Sequence, residues 1–147
     1  MVFIAMVICV QDGLFMGIIQ VKEIEFYEDD RGWCIRPISD DDIKDGIISD
    51  IHMVSMKPGA IRGNHYHVNK TEHILIIGST CRVLVVDNNT KEREEKILEN
   101  NEKDLFVIPP GVTHAIENIG NDASYLFCFS HVKDGLKDSD VVNNKII

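Results

Sequence analysis

Gly59 to Gly78 reads GAIRGNHYHVNKTEHILIIG, and the architecture can be worked out from it in both directions. His65 and His67 stand two residues apart, with Glu72 close behind. A β-strand sends alternate side chains to one face, so both imidazoles point the same way. Glu72 follows a short loop and opens the next strand, where Ile74 and Ile76 share its face as an apolar floor. A second stretch, Lys103 to Asn118, reads KDLFVIPPGVTHAIEN. Its Pro109-Pro110-Gly111 turn can carry His114 back onto the first pair. His65, His67, Glu72 and His114 are therefore expected to form one metal site inside a β-barrel.

Strand-like runs continue on both sides. Gly17–Phe26, Ile51–Met56, Glu72–Ile77, Cys81–Val86, Leu105–Ile108, Thr113–Ile119 and Ser124–His131 are apolar or alternating and are bounded by turn residues. Asp87-Asn88-Asn89-Thr90 reads as a hairpin turn, and Lys91–Glu99 as an exposed, charged strand. EDDRGW, Glu28 to Trp33, is a charged turn. The acidic segment Ile38–Asp50 is expected to be a loop with a short helical turn. The polar tail Val132–Ile147 is expected to pack as a short helix or to cover a barrel mouth. No segment carries a helical period of any length, and strands at roughly 8–12-residue spacing mark an all-β sandwich or barrel.

The chain of 147 residues is long enough for one domain with a buried core. A formal net charge of −9 argues against nucleic-acid binding, which needs a basic face. Cys9, Cys34, Cys81 and Cys128 show no C-x-x-C spacing and read mostly as small buried hydrophobes. Residues 1–10, MVFIAMVICV, lack the basic start and cleavage site of a signal peptide. They stop short of the roughly 20 apolar residues of a membrane span. They read as a strand at a subunit interface, or as part of an extension, residues 1–16, ahead of a natural start at Met16. The single domain is then 17–147, in a cytoplasmic protein without a membrane partner. HILII and CRVLVV are apolar on both faces, which favours a homodimer, although a second sheet of the same chain could supply the cover.

Neutral imidazoles with one carboxylate suit Zn, Fe, Mn, Ni, Cu or Co alike. His52, His73 and His131 read as ordinary surface or core imidazoles.

The two stretches resemble the paired motifs of the cupins. Gly59, His65, His67, Glu72 and Gly78 fit the first motif, with five residues rather than six in its last gap. Pro109, Gly111, His114 and Asn118 fit the second, with Lys103 at its leading glycine position. The resemblance implies a double-stranded jelly-roll barrel and the metal set already named. More narrowly, EDDRGW followed by IRGNHYH is similar to the layout of nucleotide-sugar cupins. These are the dTDP-4-dehydrorhamnose 3,5-epimerases, the dTDP-4-keto-6-deoxyhexose 3,4-ketoisomerases and the cupin domain of a bifunctional capsular-sugar epimerase/reductase. Likeness to the 3,5-epimerases implies His65 as catalytic base, with Arg62 and Arg31 near a sugar nucleotide. Those epimerases use an acid tyrosine where His131, Val132 and Lys133 stand here, and they generally lack the second histidine and need no metal.

The expected function is that of a metal-binding protein acting on, or binding, a nucleotide-linked keto-sugar. Isomerisation or epimerisation needs a base and a stabiliser of enediolate charge. His65 and Glu72 are the catalytic candidates, and Arg62, Arg36 and Lys70 could offset a diphosphate. A metal-bound His65 has no lone pair for base work, which would pass the role to Glu72 or to an unliganded histidine such as His73. A metal-dependent oxygenase for a small molecule and a non-catalytic sugar- or metal-binding module are the alternatives.

Overall fold

The computed structural model describes residues 17–24, 26–38, 43–44, 48–99, 102–132 and 140–147. The expected N-terminal interface strand and alternative start fall outside these residues, as do 39–42 and 45–47 of the acidic segment. The described elements are β1 (Gln20–Glu23), β2 (Phe26–Asp29), β3 (Gly32–Ile35), β4 (Ile48–Met56), β5 (Ile61–His67) and β6 (Lys70–Gly78). They continue with β7 (Cys81–Asp87), β8 (Arg93–Leu98), β9 (Asp104–Ile108), β10 (Val112–Asn118), β11 (Ser124–Val132) and β12 (Val141–Asn143). One five-stranded sheet runs β1-β9-β6-β11-β4, a second runs β12-β5-β10-β7-β8, and β2 and β3 form a separate hairpin. The expected all-β jelly roll is the observed fold.

The core lies between the two sheets. Ile74, Ile76, Val83, Val85, Phe106 and Ile116 are each 2% exposed or less and pack there. The period of two that put Ile74 and Ile76 inside sends Leu75 to the other face of β6. There it packs with Leu105 and Phe129, closed over by Ile24, Ile35 and Ile38. Much of the cover that the HILII run demands thus comes from the same chain. On that outer face Ile51, Met53 and Tyr125 remain 55%, 63% and 45% exposed. β8 alternates exposed and half-buried positions, and its charges line a sheet edge, as the sequence suggested.

Two expectations need correcting. β4 begins at Ile48, inside the segment read as loop. Residues 133–139 of the tail lie outside the described residues, and residues 141–143 are not a helix. They form β12, antiparallel to β5, with Val141 opposite His67 and Asn143 opposite His65. The physical reason is edge pairing: an open strand edge offers a row of backbone donors and acceptors, and the chain end supplies the partners. The Asn64 side chain completes the attachment. Its Oδ1 accepts from the Ile146 and Ile147 amides at 2.8 and 3.2 Å, and its Nδ2 donates to the Ile147 carbonyl at 3.1 Å.

Asn64 is free to do this because it is the extra residue of a β-bulge. Gly63 pairs with Ala115 and His65 with His114, which leaves Asn64 without an opposite number. Gly63 and Asn64 have φ of 85° and 58°. A Cβ on Gly63 would lie 2.5 Å from the His114 carbonyl oxygen, so only glycine allows this approach. Gly63→Ala combines left-handed strain with a backbone clash. It should lower the unfolding free energy by about 2–4 kcal/mol in urea titration. An unchanged midpoint would show that β5 and β10 do not approach so closely.

Candidate metal centre and ligand cavity

The site is assembled from both sheets. His65 on β5 and His114 on β10 are register partners, with ring centroids 4.7 Å apart. His67, two residues on, keeps to the same side and holds its ring 5.4 Å from His65. Glu72 arrives from β6 in the opposite sheet. Its Oε2 lies 3.3 Å from His67 Nε2 and 3.1 Å from His114 Nε2. His65, His67 and Glu72 bring one donor atom each within 4.8 Å of one another. All four side chains of the expected set therefore converge, and His114 and Glu72 are 1% and 7% exposed.

These residues fit a divalent transition metal. His67 Nε2 and Glu72 Oε2 are buried and have no hydrogen-bond partner among the described residues. Buried polar atoms in that condition are costly unless something else engages them. Adjacent ligands about 2.1 Å from a common ion stand roughly 3.0 Å apart, close to the Nε2–Oε2 spacings seen here.

Asp140 is the functional residue that sequence reasoning missed. Its Oδ1 accepts from His67 Nδ1 at 2.9 Å, and its Oδ2 accepts from the amides of Asn69 and Lys70 at 3.0 and 2.9 Å. A carboxylate behind an imidazole fixes its tautomer and leaves Nε2 as the coordinating nitrogen. Nothing in the tail signalled this, because the contact exists only once residues 140–143 have joined β5.

The protonation states follow from burial set against partners. Burial pushes the His65 pKa down, and the neighbouring His114 adds to the effect. Burial also opposes a charge on His67, but Glu72 and Asp140 outweigh it and raise that pKa. Burial disfavours ionised Glu72, yet the His114 and His67 imidazoles close beside it hold it well below the usual carboxylate range. Glu72 is thus held as a carboxylate, the state a metal requires of an acidic ligand.

A cavity of about 370 Å³ opens onto these groups, lined by His65, Glu72 and His114, by apolar Val54, Ile61, Ile74, Ile116 and Leu126, and by His52, Arg62 and Cys128. That is a size suited to a small organic ligand. Arg62 and His65 are an odd number of residues apart, and a regular strand would turn them to opposite faces. The bulge at Asn64 restores them to one face, where Arg62 sits opposite Ile116. Arg62 Nη2 also donates to the Ser55 carbonyl at 3.4 Å.

The other sequence candidates lie elsewhere. Arg36 is exposed after β3 and Lys70 is half-buried at the start of β6, and neither lines the cavity. Arg31 pairs with Asp29 at the exposed tip of the β2–β3 hairpin. His73 shares β6 with Glu72 but takes the opposite face, stacked on Phe129 with a centroid distance of 4.6 Å. It is therefore not placed to replace His65 as a base. His131 packs against His73 on that same side, 4.6 Å away. Asn118 is structural, its Nδ2 donating to the carbonyls of Met56 and Asp122 at 3.0 and 2.8 Å.

The two packed sheets form a jelly roll of the cupin fold. The description "Polysaccharide biosynthesis C-terminal domain" belongs to a family model that matches residues 27–140, and the chain is a member of that family. Over 65 residues it is 35% identical to a UDP-2-acetamido-2,6-beta-L-arabino-hexul-4-ose reductase of Pseudomonas aeruginosa, a match covering 44% of this chain and 18% of the relative. Over 74 residues it is 34% identical to an oxalate decarboxylase of Bacillus subtilis, covering 50% of this chain and again 18% of the relative. The chain thus matches under a fifth of the length of either protein. Among solved structures, a dTDP sugar isomerase of Desulfovibrio desulfuricans superposes with a TM-score of 0.72 at 14% identity, over 85% of this chain and 82% of that one. No helix among the described residues is long and apolar enough to cross a membrane.

Cysteine accessibility tests the placement of the cavity wall. Cys34 is exposed, whereas Cys81 and Cys128 are buried. Burial pushes the Cys128 thiol up to about 12, with Glu72 and Asp50 adding to the shift. The thiolate is the reactive form. Iodoacetamide at about pH 8 should therefore label Cys34 and spare Cys81 and Cys128 in peptide mass maps. Labelling of Cys128 as fast as Cys34 would contradict the buried wall.

Proposed function

We propose that this chain binds a divalent transition metal through His65, His67, Glu72 and His114 and takes a nucleotide-linked keto-sugar into the adjoining cavity for isomerisation or epimerisation. The carrying observation is the meeting of that donor set with an Arg62-bearing, apolar-walled cavity. Membership in a polysaccharide-biosynthesis family supports a sugar ligand, as do the hexulose-nucleotide relative and the dTDP-sugar neighbour. Arg62 would meet phosphate oxygens with its planar fork, while the apolar wall would accept the deoxygenated edge of a sugar. When bound, a divalent metal supplies Lewis-acid polarisation of a carbonyl. Asp140 holds His67 in its coordinating tautomer, and the buried wall limits water at the reacting carbons. A small-acid or oxygen-dependent chemistry is the second reading, favoured by the stretch shared with an oxalate decarboxylase.

Metal analysis of protein purified without chelators should find about one transition metal per chain. The His65→Ala/His114→Ala double variant should lose it, and Asp140→Asn should weaken its affinity roughly 10–100-fold. A parent that holds no metal and takes none up when Zn, Mn, Ni or Fe(II) is added would sink the metal half of the proposal. For the ligand, calorimetric titration of metal-loaded protein with UDP- and dTDP-linked 4-keto-6-deoxyhexoses should show saturable binding that Arg62→Ala weakens by about tenfold or more. No binding of either nucleotide sugar, with oxygen uptake or decarboxylation of a small acid instead, would transfer the site to the second reading.

A further inference from the structure

Moving a stereocentre or a carbonyl along a sugar requires one group with a free lone pair to take a proton from carbon and return it. Six side chains lining the cavity could in principle ionise or donate: His52, Arg62, His65, Glu72, His114 and Cys128. On the metal reading above, His65, Glu72 and His114 have their lone pairs committed. Arg62 cannot be deprotonated in a protein. The Cys128 thiol is kept protonated by its burial. His52 alone is left among the described lining residues.

Its placement suits the task. Asp50, His52 and Val54 share the inner face of β4, the edge strand of the sheet that carries Glu72. β11 lies between, with Ser130 paired to both Glu72 and Asp50, and Cys128 paired to both Ile74 and His52. His52 and Glu72 are thus diagonal neighbours across one intervening strand. Potential donor atoms of His52, Glu72 and Cys128 come within 4.8 Å of one another. His52 Nδ1 lies 3.0 Å from Asp50 Oδ2, and the two side chains are 46% and 51% exposed. Asp50 Oδ2 accepts a hydrogen bond from Nδ1–H and so leaves the lone pair on Nε2. Partial exposure places this imidazole at the cavity mouth, where a proton taken from substrate can exchange with water.

We infer that His52, oriented by Asp50, is the proton-transfer residue of this site, acting on the carbon α to the carbonyl of the bound sugar. This rests on the keto-sugar reading. In the forward step the α C–H bond breaks and an Nε2–H bond forms. The C–H electron pair becomes the C=C bond of an enediolate, and the carbonyl π pair moves onto oxygen. In the return step the same proton, or one exchanged from solvent, is delivered to carbon and the imidazole is neutral again. No oxidant, reductant or further reactant is consumed. His52 is the catalytic residue, and Asp50 is a positioning residue.

The test is deuterium incorporation, followed by mass spectrometry, when metal-loaded protein is incubated in D₂O with UDP- and dTDP-linked 4-keto-6-deoxyhexoses. The parent should incorporate deuterium into one of them. His52→Gln should slow incorporation by roughly 100-fold or more while metal content and nucleotide-sugar Kd stay as in the parent. Asp50→Asn should lower the rate constant with little change in KM, a split that a purely structural role at the mouth would not produce. Exchange by His52→Gln at the parental rate would overturn this assignment and leave the proposed function standing. Loss of metal in His52→Gln would also overturn it, by making His52 a ligand. A parent that binds the nucleotide sugars but exchanges nothing would remove the isomerase reading, and this inference with it.

Discussion

An ionised carboxylate is held almost out of water between two sheets, and much else in the molecule follows from it. Glu72 is 7% exposed, and removing such a charge from solvent costs several kcal/mol unless polar partners meet it. The partners here are the imidazoles of His67 and His114, which belong to the opposite sheet. The site is therefore also an electrostatic link between the two layers. Its imidazoles need support in turn, and Asp140 supplies it to His67 from the chain's last strand region. Burial works in the same direction on the wall, where Cys128 is kept as a neutral thiol beside this charge.

The bulge in β5 adjusts the side chains around that carboxylate. Inserting Asn64 between Gly63 and His65 shifts the phase of the strand by one residue. Upstream of the shift Arg62 turns inward, and downstream His65 and His67 stay inward as well. The residue displaced to make this possible holds the last two amides of the chain through its own side chain. One backbone irregularity thus brings a cation and a ligand to the same cavity and also anchors the segment that carries Asp140. Bulges are often found where a side chain must be re-aimed at a site.

The sequence showed a good deal of this. The two-residue spacing of His65 and His67, the position of Glu72, the turn before His114 and the alternation of the strands were all read correctly. His73 illustrates where such reading stops. As a residue type it was a reasonable substitute base, but its odd-numbered step from Glu72 along β6 puts it on the far face against Phe129. His52 was passed over for the opposite reason. Nothing near it in sequence marks it, and it meets the site only because β11 sets Cys128 beside it, with Ile74 on β6 one strand beyond.

By itself the sequence determined the class of fold, the inner and outer faces of most strands, and the four side chains that could share an ion. These depend on short-range rules, the period of two and the turn chemistry of Gly, Pro and Asn, which a few consecutive residues express completely. Only the tertiary structure decided that Arg62 joins His65, that Asp140 stands behind His67, and that His52 overlooks the cavity. The first depends on a change of register in one strand pair. The second joins residues 73 positions apart, and the third requires β11 to lie between β4 and β6. Such pairings are selected by the free energy of the closed sandwich as a whole, in which buried charges must find partners and open edges must be paired. That selection leaves no local pattern in the chain.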